Sequence, residues 1–165
     1  MTKPTFFLDI DGVLHPTNAP YLTMDGAVRG EGLFRWLPKL QEALAKFPDV
    51  QVVLHSSWRF CWDTDEEVRS HLPPELNAMI VATTGREVMG RYESIQEYVK
   101  VHNIEKYVIV DDDGNAFPYG VKELVNCMST QGLSRQNTYT KLITKLGEIS
   151  EHKPEPRTET QTSSG

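Results

Sequence analysis

Four places along the chain put acids, hydroxyls or cations directly after an apolar run. The first is "FFLDIDGVLHP", residues 6–16, in which Asp9 and Asp11 stand two positions apart and Gly12 follows. The second is "VVLHSSWR", which ends on Ser56 and Ser57, then Trp58 and Arg59. The third is "TTGRE", with Thr83, Thr84, Gly85 and Arg86. The fourth is "YVIVDDD", which closes on Asp111, Asp112 and Asp113. Brought together unpaired, carboxylates from the first and last runs would repel, and their pKa values would climb. A hard divalent cation removes that conflict, and Mg2+ favours a few carboxylates, waters and a phosphate oxygen. Aspartate also closes strands simply as a turn or cap residue, and Asp113 is read that way. Asp9 and Asp11, matched by Asp111 and Asp112, are read as a site.

The elements that must position these residues follow from the apolar pattern. Residues 5–10, 50–56, 78–84 and 106–112 read as strands, with a short fifth at 123–128. Pro38 suits the first turn of a helix running to about Phe47, with Leu40, Leu44 and Phe47 on one face. The acidic run from Asp63 to Glu67 suits the first turn of a helix over 63–72. Further helices are expected over 91–102 and 137–149, where Tyr139, Leu142, Leu146 and Ile149 form one stripe. Residues 12–30, punctuated by glycine and proline, read as a loop with a small hairpin. Continuous apolar strands alternating with helices imply a parallel sheet covered on both faces. The expected fold is therefore a Rossmann-like three-layer α/β/α sandwich around a mostly parallel sheet of about five strands. Open sheets of this kind bind ligands at the carboxyl ends of their strands, so the four runs converge on one edge.

Composition narrows the class. With 165 residues, one domain is expected over 1–150, and the polar, proline-bearing stretch 151–165 reads as a disordered tail. The net charge of −6 argues against an extended nucleic-acid surface. The two cysteines, Cys61 and Cys127, have no metal-type spacing and are read as reduced thiols of a cytoplasmic protein. No apolar run approaches the roughly 20 residues of a membrane span, and the N-terminal stretch does not read as a signal peptide. A monomer or homodimer is expected.

From Thr5 to about Asp113 the chain resembles the haloacid dehalogenase (HAD) superfamily of phosphohydrolases. "FFLDIDGVL" matches that family's first motif, an apolar strand followed by Asp-x-Asp-Gly-Val/Thr-Leu. "VVLHSSWR" resembles the second through Ser56, and "YVIVDDD" the fourth. "GRYESIQEYV" offers Arg91 for the third, with Arg86 as its competitor; here the pattern departs from the more common lysine. The gaps after the first and second motifs leave no room for a cap domain, so an open site is implied. The family pattern links open sites to large substrates such as nucleic-acid ends or phosphoproteins.

The resemblance implies a Mg2+-dependent phosphatase. Asp9 would be the nucleophile that forms an aspartyl-phosphate, and Asp11 the acid and then the base. Mg2+ would be held by Asp9, the Asp11 carbonyl, Asp111 and Asp112. Ser56 and Arg91 would bind the substrate phosphate, and Arg59 is read as reaching that phosphate or a neighbouring acid, or as forming a surface ion pair. His15 and His55 are read as structural and Trp58 as packing. Two rivals stand: a receiver-like signalling domain, which carries its phospho-accepting aspartate after a middle strand, and a phosphate-binding module without catalysis.

Overall fold

The computed structural model describes residues 2–87 and 90–152. In chain order it forms β1 (Thr5–Leu8), a hairpin of β2 (Tyr21–Leu22) and β3 (Val28–Arg29), α1 (Leu37–Ala45) and β4 (Gln51–Leu54). Then follow α2 (Asp65–Ser70), α3 (Pro74–Met79), β5 (Ile80–Thr83), α4 (Arg91–Val101), β6 (Tyr107–Asp111), β7 (Leu124–Asn126) and α5 (Gln136–Ile149). Five strands make one sheet in the order β5-β4-β1-β6-β7. Every neighbouring pair in it is parallel, as expected from the apolar strand character.

Side-chain alternation along the strands divides the core. Phe6, Leu8, Val52, Leu54, Val108 and Val110 face one side, with Leu40 and Leu44 of α1 and Leu142 and Leu146 of α5. Phe7, Val53 and Ile109 face the other, against Ile95 of α4 and the loop residues Ile104 and Phe117. Strand β1 is central, and Phe6, Phe7 and Leu8 are fully buried. Each such side chain contributes about 2 kcal/mol of burial, which anchors the strand that leads into Asp9.

Local chemistry trims the expected boundaries. Residues 78 and 79, expected in a strand, close α3 instead. Pro74 at the start of that helix suits its first turn, where no backbone N–H is needed. The acidic helix begins later than expected, because the Thr64 hydroxyl accepts the Glu67 N–H at 3.1 Å and caps α2. Strand β4 stops at Leu54, two residues short, because Ser56 caps a 3-10 turn over Ser57–Phe60. The expected hairpin is present as β2 and β3, which pair antiparallel. Both cysteines are free. Among the described residues no helix is long and apolar enough to cross a membrane. The stretch expected as a tail lies outside the described residues from 153 onward.

Candidate active site

Strand register brings the four polar runs to one edge. Leu8 lies level with Leu54 on one side and Val110 on the other, and Leu54 lies level with Thr83. One step further, the Asp9 N–H donates to the Val110 carbonyl at 3.2 Å, and the His55 N–H to the Leu8 carbonyl at 2.7 Å. Asp9, His55, Thr84 and Asp111 therefore emerge together where the strands end.

The acids crowd as anticipated. Carboxylate oxygens of Asp9, Asp111 and Asp112 lie within 4.8 Å of one another. Asp9 is 2% exposed and Asp111 is fully buried. One oxygen of Asp9, Oδ1, accepts the Ile10 N–H at 2.8 Å. The Thr17 hydroxyl donates to Asp112 Oδ2 at 2.6 Å. Gly12 has φ +75, and a Cβ there would collide with the Asp112 side chain. Only glycine supports both that turn and that approach.

One cation serves two of the three acids. Arg91 Nη1 donates to both oxygens of Asp111, at 2.9 and 2.8 Å, and lies 3.4 Å from Asp9 Oδ2. Burial and the charge of Asp111 hold the Asp9 carboxyl well above the usual carboxylate range, against the pull of Arg91. Asp111 is raised as well, by burial, although Arg91 and the Asp113 N–H oppose the shift. Burial alone would lower Arg91, but Asp111 and Asp9 outweigh it and hold the guanidinium above its ordinary value. Three clustered carboxylates, two of them against one guanidinium, leave an excess of hard, anionic oxygen donors. That donor set fits a divalent cation such as Mg2+.

Asp11 stands outside this acidic group and is held by two other side chains. The Trp58 indole Nε1–H spans its oxygens at 3.1 and 3.0 Å, and His15 Nε2 lies 2.8 Å from Oδ1. The Phe34 N–H donates to His15 Nδ1 at 3.1 Å. That nitrogen is therefore an acceptor, so Nε2 carries the proton and donates to Asp11. Phe34 takes φ +57 to do this, a left-handed conformation that costs a non-glycine residue about 1 kcal/mol. Its ring packs edge-on against both His15 and Trp58.

The remaining residues sort by contact. Ser56 is buried, and its Oγ accepts the Trp58 N–H at 3.2 Å; its own proton goes to no described group. Arg59 is 2% exposed rather than on the surface. Its guanidinium donates to the carbonyls of Ser56, at 2.8 Å, and Gly85, at 3.1 Å, and so ties the loops after β4 and β5 together. Arg86 is turned away from the acids: it donates to Asp65 and to the carbonyls of Arg59 and Trp62. Of the two candidates for the third motif, the structure brings Arg91 to the acids. His55 Nδ1 meets the Thr84 hydroxyl at 2.8 Å, and burial with the charges of Arg59 and Arg91 pushes it down to about 3. Sequence reasoning missed the hold of His15, Phe34 and Trp58 on Asp11. The one available signal was that a buried indole N–H needs an acceptor.

Residues 5–138 match the family described as the HAD domain in Swiss Army Knife RNA repair proteins. The chain belongs to this family. Its membership accords with the Asp-x-Asp-Gly motif, the parallel sheet and the acids at its edge, and it supports a HAD-like phosphohydrolase in general. No curated protein matches the chain.

Proposed function

We propose that this HAD domain is a Mg2+-dependent phosphomonoesterase that acts on phosphorylated nucleic-acid ends through an aspartyl-phosphate. The observation that carries the reading is the buried Asp9 beside Asp111 and Asp112, with Arg91 bridging Asp9 and Asp111 and Asp11 held separately by Trp58 and His15. The family's description as a domain of RNA repair proteins supports the substrate class. An end is a local target, which a chain of net charge −6 is able to engage.

Each residue has a part in the proposed reaction. Asp9 Oδ1 is occupied by the Ile10 N–H, so Oδ2 is the oxygen that attacks phosphorus. The bond from phosphorus to the nucleic-acid oxygen breaks, and Asp11 gives that oxygen its proton. Asp11 then takes a proton from a water that attacks the aspartyl-phosphate, and Asp9 and inorganic phosphate are released. Ser56 donates its spare hydroxyl proton to a phosphate oxygen, and Arg91 balances negative charge on the phosphate side. Arg59 donates to the Ser56 carbonyl and so positions the loop that presents the Ser56 hydroxyl to that phosphate. Asp9, Asp111 and Asp112 would hold Mg2+, with the Asp11 carbonyl as a further ligand. When bound, the ion neutralises the charge that otherwise opposes an anionic nucleophile meeting an anionic phosphate.

The receiver and binding-module readings do not account for Asp11, which two dedicated donors hold beside the nucleophile. The test is hydrolysis of an aryl phosphate and of 5′- and 3′-phosphorylated oligonucleotides, with and without Mg2+, by the native protein and Asp9→Asn. The native protein should hydrolyse both classes only with Mg2+, and the variant neither. Equal activity of Asp9→Asn, or no activity on any phosphate ester, overturns the enzyme reading.

A further inference from the structure

A pocket of about 240 Å3 between the β2–β3 hairpin and the 3-10 turn is lined by Asp11 but by none of Asp9, Asp111 and Asp112. Its walls are Tyr21, Leu22, Val28, Trp58 and Trp62, with Asp11 among the lining residues. Tyr21 is 59% and Leu22 52% exposed, unusual for large apolar side chains in a two-residue strand. Trp62 stacks one face on His71, at 4.1 Å between centroids and 19° between planes, so its ring is fixed before any ligand arrives.

We propose that this pocket is the leaving-group subsite and that it takes the terminal nucleoside of a phosphorylated nucleic-acid end. The inference rests on the phosphatase reading, in which Asp11 protonates the leaving oxygen. Whatever carries that oxygen must begin at Asp11, and the pocket opens there. Its lining contains no lysine, arginine or histidine, and its only charge is the Asp11 carboxylate. An anionic leaving group such as a nucleoside diphosphate is repelled, whereas a neutral, flat group is accepted. Aromatic walls suit a base, which stacks on any such ring whatever its identity. The Ser57 hydroxyl also lines the pocket and offers a hydrogen bond that a ribose or base edge can use and a phenyl ring cannot. Trp58 joins the two functions, because it both lines the pocket and donates its indole N–H to Asp11.

The test compares kcat/KM for a phosphorylated dinucleotide with kcat/KM for glycerol phosphate, in the native protein, Tyr21→Ala and Tyr21→Phe. The ratio should fall about tenfold in Tyr21→Ala, the loss expected for one stacked base, and should recover in Tyr21→Phe. Val101→Ala, at an exposed position on α4, serves as the control and should leave the ratio unchanged. A second measurement needs no chemistry: an unphosphorylated dinucleotide should quench tryptophan fluorescence in the native protein and not in Tyr21→Ala. If phosphate esters are hydrolysed but the ratio does not respond to Tyr21, the subsite is wrong and the phosphatase reading stands. If no ester is hydrolysed but the dinucleotide still quenches, the pocket stands and the phosphatase reading fails. A phosphotyrosine peptide that outperforms the dinucleotide, or a dimer in sedimentation that Tyr21→Ala dissociates, assigns the pocket to another occupant and overturns the inference.

Discussion

Asp9 carries two opposing demands at the scale of a single residue. The proposed catalysis needs its carboxylate ionised, yet burial and Asp111 oppose ionisation. Asp9→Asn removes the opposed charge and keeps Oδ1 for the Ile10 N–H. The metal-free variant should therefore be more stable than the native protein by about 1 kcal/mol, or roughly 2–4 °C in Tm. It should also lose the thermal shift that Mg2+ gives the native protein. Paired melting curves with and without Mg2+ check both statements; a variant that melts lower without metal contradicts the electrostatic account. Arg91 makes a different case. Only Nη1 contacts the acids, so the planar fork of arginine is not in use. Arg91→Lys should keep kcat within about tenfold, whereas Arg91→Ala should lose about 100-fold or more. Steady-state kinetics on an aryl phosphate separates the two.

Elements set how closely those residues approach. The turn after β1 depends on Gly12, whose backbone sits against the Asp112 side chain. Gly12→Ala adds a methyl where Asp112 lies and places a Cβ at φ +75. The β1 core is untouched, so the fold should survive with a loss of about 1–2 kcal/mol. Asp112 should be displaced, and Mg2+ titration by calorimetry should show at least tenfold weaker binding. Unchanged Mg2+ affinity would mean that Asp112 is not among the ligands. The 3-10 turn after β4 acts in a similar way. Ser56 caps it, Arg59 ties it to Gly85, and Trp58 projects from it to Asp11. In the proposed reaction, one short element thus serves both the phosphate and the leaving group.

Across the whole molecule, the buried titratable groups govern the response to pH. His55 is 1% exposed at the end of a central strand, and its pKa is pushed down to about 3 from the ordinary 6.5. The folded protein holds it neutral while the unfolded chain protonates it below about 6.5, so the unfolded state binds more protons in that window. The contribution of His55 to stability should be flat above about pH 6.5 and fall as pH drops from there towards 3, by at most about 1.4 kcal/mol per pH unit. His55→Gln removes the titrating imidazole. Its unfolding free energy should fall less steeply between pH 6.5 and 5 than that of the native protein, as denaturant melts would show. Identical slopes would exclude His55 as a source of the acid sensitivity.

Short-range signals determined much of this protein. The apolar runs, uninterrupted because β1 is buried on both faces, gave away a parallel sheet, and Asp9, Asp11, Asp111 and Asp112 stood at the strand ends where register then aligned them. Helix and strand limits drifted by a residue or two where a cap, such as Thr64 or Ser56, or Pro74 acted more strongly than periodicity. Tertiary structure alone decided which arginine meets the acids, because Arg86 and Arg91 are only five positions apart, yet one pairs with Asp65 and the other with Asp111. It alone revealed the His15–Trp58 hold on Asp11 and the aromatic pocket beyond it. Those contacts join positions 11, 15, 34 and 58, and the pocket gathers Tyr21 and Trp62 into one lining. No local pattern encodes them, since they exist only once the sheet has fixed where each loop begins and ends.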